Sequence, residues 1–150
     1  MIRIGINGFG RIGRLVFRAA WARDDVVIQR INDPAGDAAT QAHLLNFDSI
    51  HGRWQHEASA NEEGFQVNDQ QILVSQNTEL DQTDWGDCDL VIEASGTWRS
   101  APLLQPLLDQ GVKRVVATAP IKQPEVLNVV MGINDHLYDP ARHPIVTAAS

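Results

Sequence analysis

The stretch that decides the fold is Ile2-Arg3-Ile4-Gly5-Ile6-Asn7-Gly8-Phe9-Gly10-Arg11-Ile12-Gly13, at the start of the chain. Isoleucine alternates with other residues in its first half, which predicts a short buried strand over Ile2–Asn7. The second half, Gly8–Gly13, carries the spacing glycine-x-glycine-x-x-glycine. After it, apolar residues recur at helical spacing, namely Ile12, Leu15, Val16, Ala19 and Ala20. The sequence therefore predicts a strand, a glycine-rich turn and a helix in succession.

This arrangement favours the binding of a dinucleotide. Gly8 permits the tight turn, Gly10 lets a pyrophosphate approach the backbone, and Gly13 lets the helix pack close to the strand. The start of the helix offers unpaired N–H groups and a positive dipole end to the phosphates. Glycines cluster by chance in many loops, so the pattern alone is weak evidence. Its position between a strand and a helix is what the mechanism requires.

An acidic residue follows the second predicted strand, Val26–Ile31. Asp33 lies twenty residues after Gly13, at the end of that strand. A carboxylate at this place can accept hydrogen bonds from both ribose hydroxyls of an adenosine, and it would repel a 2′-phosphate. The pattern therefore favours NAD over NADP. The alternative is an ordinary turn aspartate before Pro34, since aspartate is common in turns.

The rest of the chain alternates helical and strand patterns between turn signals. Predicted helices cover Asp37–Asn46, with Asp37 as N-cap, and the segment from Ser100 as cap to Gly111. Predicted strands are a hairpin within 66–74, then Leu90–Ala94, Arg114–Thr118, Leu127–Met131 and Ile145–Ala148. We expect Phe47–Trp54 to be irregular and Asp135–Tyr138 to form a helical turn. The predicted fold class is α/β, a Rossmann-type doubly wound, mostly parallel sheet with helices on both faces and an antiparallel hairpin insertion.

Composition narrows the class of protein. The 150 residues fit one domain, residues 1–150. A formal net charge of −7 argues against a nucleic-acid partner, because phosphates need a basic surplus. The single cysteine cannot form an intrachain disulfide. The apolar runs are far shorter than the roughly 20 residues that span a bilayer, and no signal-peptide pattern follows Met1. We expect a cytoplasmic protein that binds no membrane.

The chain also carries a set of longer motifs in a fixed order: Ile4–Arg14, Ile31–Asp33, Ala42–Arg53, Glu93–Gly96 and Ala119–Lys122. On these motifs it resembles the phosphorylating glyceraldehyde-3-phosphate dehydrogenases. The resemblance covers the entire chain, and several motifs in order make it highly specific. It implies the NAD-binding domain of such an enzyme.

The resemblance also implies roles for individual residues. Arg11 and Ile12 would present backbone N–H groups to the NAD pyrophosphate, and Asp33 would hold the adenosine ribose. The path towards the nicotinamide would be lined by Ser95, Gly96 and Thr118. Ser150 matches a position that helps to hold the substrate phosphate.

In the family, a thiolate attacks an aldehyde, hydride passes to NAD, and phosphate releases an acyl phosphate from the thioester. The resemblance places the catalytic cysteine directly after Ser150 and the histidine base further on, so no catalytic residue is expected in this sequence. We expect the chain alone to be inactive. The whole enzyme would take a sugar phosphate and act as a homotetramer. Its C-terminal helix would pack back on this domain, so the chain without it would expose an apolar face.

Two segments depart from the commonest family pattern. Asn77-Thr78 stands where members often carry an arginine near the adenine, which weighs against adenine contacts from that loop. Residues 34–39, Pro-Ala-Gly-Asp-Ala-Ala, look closer to members associated with arsenate resistance, in which arsenate replaces phosphate as acyl acceptor. Two alternatives stay open: a dehydrogenase for a four-carbon sugar phosphate, and a nucleotide-binding module without catalysis. A cysteine after Ser150 would favour the enzyme.

Other reactive side chains are expected to be structural. Cys88 lies between two aspartates, whose charges raise the pKa of a thiol and suppress the thiolate. None of the five histidines has metal-ligand spacing, so we expect no metal site. We expect Arg11, Arg14 and Arg18 to form a solvated helix face, with Arg11 close enough to assist the phosphates.

Overall fold

A computed structural model describes residues 1–48 and 51–148. Its helices are α1 (Arg11–Trp21), α2 (Ala38–Asn46) and α3 (Ala101–Asp109). Its strands are β1 (Ile2–Asn7), β2 (Val26–Asn32), β3 (Phe47–Asp48), β4 (Gly52–Arg53), β5 (Ala58–Ala60), β6 (Gly64–Val67), β7 (Gln70–Ser75), β8 (Leu90–Glu93), β9 (Arg114–Ala117), β10 (Leu127–Asn128) and β11 (Ile145–Thr147). Short 3-10 helices span Leu80–Gln82 and Asp135–Leu137. The predicted strand–turn–helix–strand opening and the helical turn near residue 136 are confirmed.

Nine of the described strands form one sheet, in the order β10-β11-β9-β8-β1-β2-β7-β6-β5. The strands from β10 to β7 in this order are parallel, and β6 and β5 add an antiparallel edge. Strand β1 lies between β2 on one side and β8 on the other. The chain passes first from β1 to β2 and later returns to add β8 on the opposite side of β1. The crevice at the carboxyl ends of β1 and β8 is thus the topological switch point, where open α/β sheets bind ligands.

Local capping residues define where α2 and α3 begin and end. The Asp37 side chain accepts a hydrogen bond from the Thr40 N–H at 2.9 Å, as the sequence predicts. Ser100 Oγ accepts from the Leu103 N–H at 3.3 Å and caps α3 in the same way. After α3, Gly111 has φ +101°, a conformation that favours glycine and ends the helix. These caps satisfy backbone groups that the helices leave unpaired.

The sheet separates two apolar cores. Successive strand residues point to opposite faces, so Val91 packs in one core and Ile92 in the other. Helices α1 and α2 cover the half of one face near β2, β5 and β6, and α3 packs near β9 on the opposite face. Helices therefore lie on both faces, as predicted, but each face is covered over a different half of the sheet.

On the face that carries α1 and α2, the half formed by β8, β9 and β11 has no α-helix among the described residues. An apolar groove of about 470 Å³ lies there. Its floor includes Leu90, Val116 and Val146, and its wall includes Met131 and Tyr138. That this groove is the face which the resemblance expects a C-terminal helix to cover stays a prediction.

Three local predictions need correction. The hairpin of β6 and β7 exists, with Asn68 at φ +54° in its turn, but β7 pairs in parallel with β2. The hairpin thus extends the edge of the sheet, with β5 beyond it. The segment Phe47–Trp54 contains the small antiparallel pair β3 and β4, and β10 has only two residues. Pairing partners distant in sequence decide these features, so local patterns did not predict them.

Candidate functional site

The glycine-rich turn lies at the switch point. Gly8 has φ +93°, and a Cβ added there would collide with the backbone of Ser95, in the loop after β8. A Cβ at Gly13 would collide with the carbonyl of Gly8. The loops after β1 and β8 therefore abut backbone to backbone, and α1 starts directly against the turn.

The start of α1 has no side-chain cap and no acidic residue in its first turn. Gly10, Arg11 and Ile12 are exposed there, and a Cβ at Gly10 would meet nothing within 4 Å. Open space thus lies over N–H groups that the helix itself cannot pair. A bound anion can satisfy those groups, and the positive dipole end of the helix favours it.

Asp33 lies beside this turn, half-buried at the end of β2. Its Oδ2 accepts a hydrogen bond from the Phe9 N–H at 2.7 Å, and its Oδ1 accepts from the Ala35 N–H at 2.8 Å. A carboxylate has about four acceptor positions, so each oxygen keeps capacity for a further donor. Because Phe9 belongs to the glycine-rich turn, Asp33 also fixes that turn relative to β2.

The remaining predicted residues lie at the ends of β8 and β9. Ser95 Oγ donates to Glu93 Oε1 at 2.6 Å, and Gly96 has φ +75°. The Thr118 N–H donates to the carbonyl of Glu93 at 3.0 Å. The structure thus brings Ser95, Gly96 and Thr118 to the same end of the sheet as the glycine-rich turn and Asp33. Ser150 lies outside the described residues.

A row of polar side chains, which the sequence analysis missed, runs along the same end of the sheet. It consists of Ser75, Asn32, Asn7 and Glu93, which are partners in register on β7, β2, β1 and β8. Neighbouring members are joined by hydrogen bonds of 2.7–2.9 Å. Each of these strands ends in a polar residue directly after an apolar one, and that shared ending was the available signal.

Glu93 is the titratable member of this polar row, and only 1% of it is exposed. Its Oε1 accepts from Asn7 and Ser95, whereas its Oε2 is buried without a hydrogen-bond partner. Burial raises the pKa of this carboxyl, while the hydrogen bonds from Ser95 and Asn7 oppose the rise.

The arginines of α1 do not form a solvated face. Arg14 Nη1 donates to the Phe9 carbonyl at 3.0 Å, and Arg18 Nη2 donates to the Leu45 carbonyl at 2.7 Å. Arg11 forms an ion pair of 3.4 Å with Asp48. The Arg14 side chain ties the glycine-rich turn to α1, and the Arg18 side chain ties the end of α2 to α1, because the fold offers both of them backbone carbonyls as acceptors.

Cys88 is buried, and burial raises the pKa of its thiol to about 11. The neighbouring carboxylates of Asp87 and Asp89 contribute smaller upward effects. The expected rise in the pKa of this thiol is thus present, with burial as its main cause, while the structural role of Cys88 stays a prediction. The Asn77 side chain turns inward and donates to the Gln82 carbonyl and to Thr83 Oγ1.

Within residues 1–48 and 51–148, no helix is long and apolar enough to cross a membrane. No group of three or more histidine, cysteine, aspartate or glutamate side chains in the same ranges could hold a metal ion.

Comparison with known proteins gives the family. The profile described as "Glyceraldehyde 3-phosphate dehydrogenase, NAD binding domain" matches residues 2–101, which is most of the chain. The chain belongs to the glyceraldehyde-3-phosphate dehydrogenase family. The matched part is the family's NAD-binding domain, so the cofactor is NAD. The exposed first turn of α1 and the acceptor capacity of Asp33 fit a dinucleotide.

Individual relatives support the same family. The chain is 45% identical to glyceraldehyde-3-phosphate dehydrogenase 3 of Nostoc sp. and 40% identical to the glyceraldehyde-3-phosphate dehydrogenase of Geobacillus stearothermophilus. It is 45% identical to glyceraldehyde-3-phosphate dehydrogenase 1 of Streptomyces arenae. Each alignment covers 99% of this chain but only 44–45% of the relative. The chain thus spans less than half the length of these glyceraldehyde-3-phosphate dehydrogenases.

Proposed function

We propose that the chain binds NAD across the switch point. The pyrophosphate would lie on the glycine-rich turn and the start of α1, and the adenosine ribose on Asp33. Towards the nicotinamide, the proposed contacts are Ser95, Gly96 and Thr118. The observation that carries this proposal is the exposed, uncapped first turn of α1, with the Asp33 carboxylate held beside it by the Phe9 N–H.

Each residue would act through a simple interaction. Gly8 and Gly13 permit the turn, and Gly10 leaves room over the N–H groups of Arg11 and Ile12. Asp33 would accept the ribose hydroxyls and disfavour a 2′-phosphate by charge repulsion. When bound, NAD supplies the hydride acceptor. The chain's own residues bind and orient it.

For the whole enzyme, we propose oxidation of a sugar-phosphate aldehyde to an acyl phosphate through a thioester. The catalytic cysteine and histidine would lie beyond residue 150, and Ser150 would help to hold the substrate phosphate. We further propose that residues 1–150 form one domain of a cytoplasmic homotetramer. The family resemblance supports these proposals. Assays of the full-length enzyme with three-carbon and four-carbon substrates, and with phosphate or arsenate, would identify the aldehyde and the acyl acceptor.

The proposed ribose contact is tested by Asp33→Ala. We expect NAD binding to weaken about tenfold, because hydrogen bonds to a charged group are lost. We expect a smaller effect on NADP, so that the preference for NAD narrows. Calorimetric titration of the 150-residue chain with both cofactors measures this. Asp24→Ala, an exposed aspartate in the turn before β2, is the matched control. Equal NAD affinity in the Asp33 variant and the wild type would show that Asp33 does not contact NAD.

The proposed location of the catalytic residues predicts that the 150-residue chain binds NAD weakly and oxidises no aldehyde. The absorbance of NADH, followed with glyceraldehyde-3-phosphate, NAD and phosphate present, measures this. The full-length enzyme is the positive control. NADH production by the chain alone would contradict the proposal.

A further inference from the structure

The buried carboxyl of Glu93 lies at the centre of the proposed NAD site, although no role follows for it from the binding motif. Its backbone carbonyl accepts hydrogen bonds from both the N–H and the hydroxyl of Thr118, at 3.0 and 3.3 Å. Its side chain accepts from Asn7, which precedes the glycine-rich turn, and from Ser95. One residue therefore contacts the ends of three neighbouring strands.

The hydrogen-bond directions in the polar row are fixed from one end. The Asn77 backbone N–H can only donate, and it donates to Asn32 Oδ1 at 2.9 Å. Asn32 Nδ2 is therefore the donor to Asn7 Oδ1, at 2.9 Å. Asn7 is then left with Nδ2 as the group that faces Glu93 Oε1, at 2.8 Å. The row thus presents a donor to the Glu93 carboxyl, whose oxygen accepts it.

From Glu93 the hydrogen bonds continue into the loop after β8. Ser95 Oγ donates to Glu93 Oε1 at 2.6 Å and accepts from the Thr97 N–H at 3.2 Å. Neither Ser95 nor Gly96 is fully buried, so apolar packing contributes little to holding them. The same loop abuts Gly8 so closely that a methyl group at Gly8 would not fit.

We propose that Glu93 is a positioning residue that holds the Ser95–Thr97 loop against the glycine-rich turn, in the arrangement that binds NAD. This inference rests on the proposed NAD site and adds a residue that does not itself touch the cofactor. A hydrogen-bond acceptor of glutamate length is what the position requires. Glutamine supplies that acceptor, whereas alanine lacks it and aspartate is one methylene too short.

The test compares Glu93→Ala, Glu93→Asp and Glu93→Gln in the 150-residue chain. We expect NAD affinity to fall about tenfold in the alanine variant, since the three hydrogen bonds that Oε1 accepts from Asn7 Nδ2, the Ser95 N–H and Ser95 Oγ are lost. We expect a fall in the aspartate variant as well, and wild-type affinity in the glutamine variant. Glu57→Ala, an exposed glutamate before β5, is the control. Calorimetric titration gives the affinities.

A second measurement follows the loop without cofactor. Amide hydrogen exchange at Gly96 and Thr97, measured by NMR, should accelerate in the alanine and aspartate variants and stay unchanged in the glutamine variant. If the alanine variant does not fold, the aspartate and glutamine pair still decides the question. Equal exchange in all variants would overturn the inference.

The outcomes separate this inference from the proposed function. Absence of NAD binding by the wild-type chain would overturn the proposed function and the inference together. Loss of binding in Asp33→Ala, combined with unchanged binding in all three Glu93 variants, would overturn the inference alone. Failure of glutamine to restore affinity would show that the carboxyl charge matters, and this too would overturn the inference as stated.

Discussion

At the residue scale, Glu93 is the unusual feature of the site. A buried carboxyl group with one unpartnered oxygen disfavours the ionised form, because burial removes the charge from water and the hydrogen bonds to the other oxygen offset this only in part. The pKa of Glu93 is accordingly raised above its ordinary value of 4.5.

This raised pKa gives a prediction for stability. Below about pH 4.5, Glu93 is neutral in both the folded and the unfolded chain, so its contribution to stability is fully present. As the pH rises, the unfolded chain releases the proton first, and stability is lost until the folded pKa is passed. Glu93→Gln cannot ionise, so its free energy of unfolding should rise relative to wild type over this window.

Urea denaturation at a series of pH values from 4 upward measures the difference. Glu57→Gln, at an exposed position, is the matched control. A constant or falling difference for Glu93→Gln would contradict the raised pKa.

At the scale of elements, the glycines of the glycine-rich turn serve two different purposes. One glycine is needed for the fold, and another is needed for ligand binding. Gly13 is needed by the fold, because a side chain there would meet the Gly8 carbonyl. Gly10 has open space around it and is needed only if a ligand approaches the backbone. Alanine at Gly13 should therefore lower stability, whereas alanine at Gly10 should mainly lower NAD affinity.

We expect Gly10→Ala to lower the free energy of unfolding by less than about 1 kcal/mol, the range for a changed N-cap. We expect it to weaken NAD binding strongly, because the methyl group occupies the space over the first turn of α1. Gly13→Ala should instead destabilise the chain by about 2 kcal/mol or more, as overpacking does. Thermal unfolding and calorimetric titration of both variants measure this. Wild-type NAD affinity in Gly10→Ala would contradict the proposed pyrophosphate position.

At the scale of the whole molecule, the feature that bears on association is the apolar groove beside β9 and β11. Met131 lines this groove and is 78% exposed, and Ile133, two residues further along the chain, is 71% exposed. No α-helix of the described residues covers the sheet face there. Large exposed apolar patches favour association. The resemblance implies that a C-terminal helix of the whole enzyme packs on this domain, and the groove suits such a helix.

We therefore expect the 150-residue chain to self-associate through this groove. Sedimentation at increasing concentration should show oligomers, and Met131→Lys combined with Ile133→Lys should shift the chain towards monomer. Leu103→Lys, which adds the same charge at an exposed position on α3, should not. A wild-type chain that stays monomeric at high concentration would count against this prediction.

The sequence by itself determined the elements whose signals are local. The alternation in β1, the caps Asp37 and Ser100, and the glycine after α3 each act within a few residues, so pattern and spacing were sufficient. The same holds for the glycine-rich turn and for Asp33, because a strand, a turn, a helix and an acidic residue follow one another in order. The burial of Cys88 was also predictable from the apolar strand that follows it.

Only the tertiary structure decided which strands became neighbours. Asn7 and Glu93 are 86 residues apart, yet the insertion of β8 beside β1 makes them hydrogen-bond partners. The same pairing sets Ser95 against Gly8. The packing of α2 against α1 turned Arg18 from part of an expected solvated face into a donor to the Leu45 carbonyl. Long-range pairing depends on the packing of the whole sheet, and no local pattern carries that information. The glycine-rich turn and Asp33 are thus readable in the sequence, and the polar row of Ser75, Asn32, Asn7 and Glu93 is not.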